Sequence, residues 1–136
     1  MKKLEKYLGL DYGAAKVGLA IADSEVRIAF AYSTIDNDKN FVDVLGKIVE
    51  LEEIDKIVMG KLGLAGNSQK SFEAEEIGEK IRKELEMDIV YQEEMFSTKM
   101  AQSNLKEKGI KKIKKWDNQE AAKIILQGWL DKKRRE

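Results

Sequence analysis

Short apolar runs, each closed by an acid or followed by a turn signal, punctuate the first third of the chain. Residues 7–11 (YLGLD) are apolar up to Asp11, and Gly13 marks a turn. Residues 17–22 (VGLAIA) form a second run, ended by Asp23 and Ser24. Val26, Ile28, Phe30 and Tyr32 then alternate with Arg27, Ala29, Ala31 and Ser33, the period-two pattern of a half-buried strand. Three strands joined by short turns predict an antiparallel meander. The period then changes. Phe41, Leu45, Ile48 and Val49 recur at helical spacing, and residues 57–60 (IVMG) read as a short buried strand. Ala74, Ile77, Ile81 and Leu85 form a stripe along one helix face. Residues 89–91 (IVY) read as another strand. Ser97 suits the N-cap of a helix carrying Met100, Ala101 and Leu105. Ala121, Ala122, Ile125, Leu126 and Trp129 mark a last helix.

The predicted order is therefore βββαβαβαα, an α/β fold with a mixed five-stranded sheet flanked by helices. The length suits a single domain over residues 1–136. A helix precedes the fourth strand and another joins it to the fifth, so the first, fourth and fifth strands are expected to run parallel. Sites in such sheets form at the carboxyl ends of the parallel strands.

Composition narrows the chemistry. The chain has no Cys and no His, which excludes disulfides, thiolate or imidazole metal sites, and Ser-His or Cys-His catalysis. Carboxylates, Lys, Arg, hydroxyls and backbone groups remain. The first apolar run is too short for a secretory signal, and no stretch approaches the roughly 18 apolar residues of a membrane span; a soluble, cytoplasmic protein is expected. The 25 Lys and Arg balance 25 Asp and Glu, so any affinity for nucleic acid must come from a local patch rather than from net charge.

Three acidic positions far apart in sequence converge on one predicted sheet edge. Asp11 closes the first strand, Glu93 and Glu94 follow the fifth, and Asp117 opens the last helix. Clustered carboxylates repel one another unless a cation joins them, and Mg²⁺ or Mn²⁺ favours such hard oxygen donors. A bland reading exists for each. Asp11 precedes a turn glycine, Glu94 suits the start of a helix near Ser97, and Asp117 with Glu120 fits a capping box.

Four blocks then point to a family. LGLDYGAAKVGLAIAD (from Leu8), IVMG (from Ile57), EEMFST (from Glu93) and EAAKIILQGWLD (from Glu120) occur in the order found in the YqgF-type Holliday-junction-resolvase-like family. Its members are assigned as pre-16S rRNA nucleases. The chain resembles that family over nearly its whole length. The resemblance implies a ribonuclease H-like fold and a nuclease acting on phosphodiester bonds with Mg²⁺ or Mn²⁺. It assigns Asp11 to the first catalytic and metal-binding position and Glu94 to the second. The third falls on Asp117, or on Asn118 when residues are counted back from Ala121 and Ala122 without a gap. Met95 stands where the family has Arg, and Gly60-Lys61-Leu62 where it has Gly-Leu-Pro.

The resemblance also implies a nucleic-acid partner, with structured RNA favoured and branched DNA possible. Lys16 lies in the first block and Lys61 near the sheet edge. Lys111, Lys112, Lys114 and Lys115 belong to a lysine-rich stretch before the last helix that suits phosphate contacts, although such a run also serves as a solvated face. Two alternatives stand beside the nuclease. One is a non-catalytic nucleic-acid-binding module of the same fold, to which Met95 and Asn118 point. The other is a resolvase of DNA four-way junctions. An ATPase of the actin, sugar-kinase and Hsp70 superfamily, whose fold closes two such domains over a nucleotide, would be supported by a second Asp-x-Gly hairpin, and none is visible.

Overall fold

The computed structural model describes residues 4–61, 68–93 and 118–134. Five strands, β1 (Lys6–Tyr12), β2 (Lys16–Asp23), β3 (Phe30–Asp36), β4 (Lys56–Lys61) and β5 (Asp88–Glu93), form one sheet in the order β3-β2-β1-β4-β5. Helices α1 (Phe41–Leu51), α2 (Ser68–Leu85) and α3 (Asn118–Arg134) complete the described elements. The hairpin strands β1, β2 and β3 pair antiparallel, whereas β4 runs parallel to both β1 and β5. This is the mixed α/β sheet that the hydrophobic pattern predicts. The helix expected after Ser97 falls outside the described residues.

Side chains alternate across the sheet, and two cores result. On one face Leu8, Leu10, Val17, Leu19, Ile57 and Met59 pack with Phe41, Val42 and Leu45 of α1 and with Ala74 and Ile81 of α2. On the other face Tyr7, Ala20, Ala22 and Val58 meet Ala122, Ile125, Leu126, Trp129 and Leu130 of α3. β1 is thus covered on both sides, which is why its sequence is an unbroken apolar run rather than an alternating one. Small residues bring α3 close to the strands: a Cβ on Gly9 would sit 2.7 Å from the Leu126 Cβ and 3.0 Å from the Ala122 carbonyl.

The amino ends of β1 and β4 are tied together. The Lys6 amide donates to the Asp55 carboxylate at 2.9 Å, and the Asp55 amide returns a bond to the Lys6 carbonyl at 2.8 Å. Nearby, the Tyr7 hydroxyl donates to Glu5 at 3.0 Å, and its ring meets Trp129 edge-on. Burial first, then the bond to Glu5, pushes the Tyr7 phenol up to about 12.

The third strand differs from expectation. The alternation predicts a strand from Val26, yet β3 begins at Phe30. The Asp23 carboxylate accepts from the amides of Glu25 and Val26, and Arg27 takes a left-handed backbone at φ 61°. A side chain in α3, Gln127, then accepts from the Ala29 amide at 2.8 Å. Those local and long-range bonds satisfy the backbone as a turn, so Val26 and Ile28 end up exposed while Ala29 is buried.

Candidate active site at the carboxyl edge of the sheet

Asp11 is half-buried at the end of β1. Strand alternation puts it on the α3 face with Tyr7 and Gly9. Its partner across β2 is Gly18, and the partner of Gly18 across β3 is Thr34. Directly opposed residues share a face, so Asp11, Gly18 and Thr34 form one row. The first turn of α3 lies on that row. A Cβ built on Gly18 would run into the Asn118 carbonyl and come within 2.8 Å of the Gln119 amide nitrogen. The Thr34 hydroxyl donates to the Gln119 side-chain carbonyl at 3.1 Å.

On its other side β1 runs parallel to β4, with Leu10 beside Met59. The next residues are Asp11 and Gly60, and Gly60 pairs in turn with Gln92. The Gln92 side chain lies against Gly128 of α3. Asp11 is therefore flanked in the sheet by two glycines and faces the amino end of a helix, where exposed N–H groups carry partial positive charge. Neither flanking glycine adds a side chain to that row. Oxygen donors in this arrangement suit a hard divalent cation.

The loop after Asp11 is pinned. Asn37 donates through Nδ2 to the Gly13 carbonyl at 2.6 Å, and its amide donates to the Ala15 carbonyl at 3.0 Å. Lys16, at the start of β2, holds Asp36 through Nζ at 2.6 Å. Both partners are exposed, and pairs of that kind contribute about 0–1 kcal/mol; a phosphate can displace Asp36 at little cost.

Of the acids expected at the site, Asp11 is brought to the edge. Glu94 and Asp117 lie outside the described residues, as do Lys111, Lys112, Lys114 and Lys115. Lys61 ends β4 beside Glu93 in register, but its side chain is likewise outside them. Among the described residues no three acids gather closely enough to hold a metal. Gly18, Thr34, Asn37 and Gln119 were not singled out from the sequence, because their roles arise from partners distant in sequence, such as Asn118 for Gly18 and Gln119 for Thr34.

Comparison with known proteins agrees with this architecture. The family model described as "RuvX: Holliday junction resolvase" matches residues 5–132. A protein of Maridesulfovibrio salexigens is 33% identical over 92% of this chain and 97% of its own. One from Caldicellulosiruptor bescii is 36% identical over 93% and 96%, and one from Corynebacterium jeikeium 35% over 94% and 87%. All three carry the name "Putative pre-16S rRNA nuclease". Among solved structures, Thermus thermophilus RuvC in complex with a Holliday junction substrate superposes with a TM-score of 0.60 at 12% identity, over 96% of each chain. That likeness identifies the fold as ribonuclease H-like.

Proposed function

Because the chain belongs to the RuvX Holliday junction resolvase family, we propose that it is a divalent-metal-dependent endonuclease cutting structured RNA in 5′-end maturation of pre-16S rRNA. The observation that carries this reading is Asp11, an acid at the carboxyl edge of a central parallel strand, between two glycines and under the start of α3. Asp11, Glu94 and Asp117 would hold Mg²⁺ or Mn²⁺. Such a cation, when bound, lowers the pKa of a water nucleophile and stabilises the leaving oxygen. Asp11 would orient the ion against the scissile phosphate. In sequence, Glu94 directly follows β5 and Asp117 directly precedes α3. Lys16, Lys61, Lys111, Lys112, Lys114 and Lys115 would contact the backbone, which makes affinity fall as salt rises.

The names of the relatives favour RNA, while the family description keeps branched DNA in view. Among the described residues no helix is long and apolar enough to cross a membrane, in keeping with a cytoplasmic enzyme acting on a ribosomal precursor. One observation favours a second reading, a nucleic-acid-binding module without catalysis: the residue that α3 sets over Gly18 is Asn118, an amide and not an acid.

Asp11→Asn tests the proposal. With Mg²⁺ or Mn²⁺ present, wild type cuts a pre-16S-like RNA, and the variant folds normally but does not. A ligand that binds the folded state at 100 times its dissociation constant stabilises it by about 2.7 kcal/mol, so metal titration followed by melting reports binding separately. Cleavage by Asp11→Asn at the wild-type rate removes Asp11 from the mechanism. Absence of both metal stabilisation and cleavage in wild type favours the binding module.

A further inference from the structure

Tyr12 follows Asp11 in β1 and so projects from the opposite face, toward α1 and α2. Its ring packs edge-on against Phe41, with centroids 6.0 Å apart and planes at 62°. Beyond it lies an open cleft of about 240 Å³ lined by Tyr12, Glu76, Ile77 and Lys80. Glu76 and Lys80 stand one turn apart on α2, and both are exposed. The cleft thus combines an aromatic ring, an aliphatic wall, a cation and an acid, and its aromatic wall is the residue that follows Asp11.

We propose that this cleft seats a nucleobase of the substrate strand, stacked on Tyr12, with Lys80 meeting the adjoining phosphate. The inference rests on the nucleolytic reading above and extends it to the position of a neighbouring nucleotide. Three features favour a base over a bare phosphate. Glu76 in the cleft wall disfavours a bare anion but accepts from the exocyclic amines of adenine, cytosine or guanine. Ile77 and Tyr12 offer apolar contact to a flat ring. Lys80, one turn from Glu76 on the same wall, supplies the charge for the adjoining phosphate. Consecutive residues of a strand are only about 3.3 Å apart along it, so Asp11 and Tyr12 straddle one edge. A strand bent around that edge meets the acid with a phosphate and the ring with the next base.

The test pairs variants with modified substrate. Tyr12→Phe retains the ring, Tyr12→Leu retains apolar bulk against Phe41 without a stacking face, and Lys80→Ala removes the cation. The probe is a synthetic RNA hairpin with a single-stranded extension, together with copies carrying one abasic nucleotide at successive positions near the cut. Tyr12→Leu is expected to weaken binding on the order of tenfold and Tyr12→Phe hardly at all. Lys80→Ala lowers the slope of log affinity against log salt by about one. At one abasic position wild type loses the same factor, and Tyr12→Leu loses nothing further. Wild-type affinity and salt slope in Tyr12→Leu and Lys80→Ala overturn the subsite while leaving the nuclease intact, as does additivity of Tyr12→Leu with the abasic change at every position. If Tyr12→Leu fails to fold, the abasic scan against Lys80→Ala decides in the same way. Wild type that neither binds nor cuts the RNA overturns the nucleolytic reading, and the subsite with it.

Discussion

Replacing Gly18 by Ala puts a methyl group into the main chain of α3. The added carbon would lie 2.8 Å from the Gln119 nitrogen and nearer still to the Asn118 carbonyl oxygen. Both obstacles are backbone, so no rotamer change relieves them and the helix start must retreat. Overpacking of this kind costs about 1–3 kcal/mol, and sometimes more. With two backbone obstacles the upper end of that range applies, and since the stiffening of the unfolded chain by Ala returns about 0.4–1 kcal/mol, the net loss is about 2 kcal/mol. For a chain of this size that lowers the melting temperature by roughly 8 °C. Catalysis should suffer more than stability, because a displacement of about 1 Å at a reacting site can reduce the rate about 100-fold, and the retreating turn faces Asp11. Gly46 is the matched control. Its Cβ would meet the flexible tip of Leu85, Cδ2, at 3.0 Å. It lies inside α1, where Ala is favoured over Gly by about 0.5–1 kcal/mol, so Gly46→Ala is neutral or stabilising. Melting curves and cleavage rates for the two variants side by side check the reasoning. A Gly18→Ala protein as stable and as active as wild type would refute the seating of α3 on β2.

Glu53 and Glu86, which follow α1 and α2, hold left-handed backbones at φ 54° and 52°; Glu53→Gly and Glu86→Gly each raise stability by about 0.5–1 kcal/mol in urea unfolding. The Tyr7 phenol is raised from 10.0 to about 12 by burial and by Glu5, so folding favours its neutral form. That contribution is complete below pH 10 and is lost as pH rises toward about 12, and a pH series of unfolding curves should show a shallower alkaline decline in Tyr7→Phe. Asp36→Ala releases Lys16; stability changes by less than about 1 kcal/mol, while affinity for RNA rises and becomes more salt-dependent. Unchanged affinity would detach Lys16 from the nucleic-acid surface.

The elements that bury a face were legible because burial imposes a period. β1, β2, β4 and the three described helices lie within a few residues of the positions that their apolar spacing indicates. Asp11 was legible too, as an acid closing an otherwise apolar strand. The residues from Val26 to Phe30 misled, since alternation alone does not reveal that Asp23 and Gln127 satisfy the intervening amides. Gly18 carried no signal of its function: its lack of a side chain matters only because Asn118, a hundred positions later, comes to rest on it.

That dependence sets an order of assembly during synthesis. The hairpin bearing Asp11 leaves the ribosome long before α3, and among the described residues it is α3 that covers Tyr7, Ala20, Ala22 and Val58 on their side. A nascent chain halted before residue 118 would display this apolar surface to chaperones. It would also lack the helix end that faces Asp11, so the proposed active edge is completed only after nearly the whole polypeptide has been made.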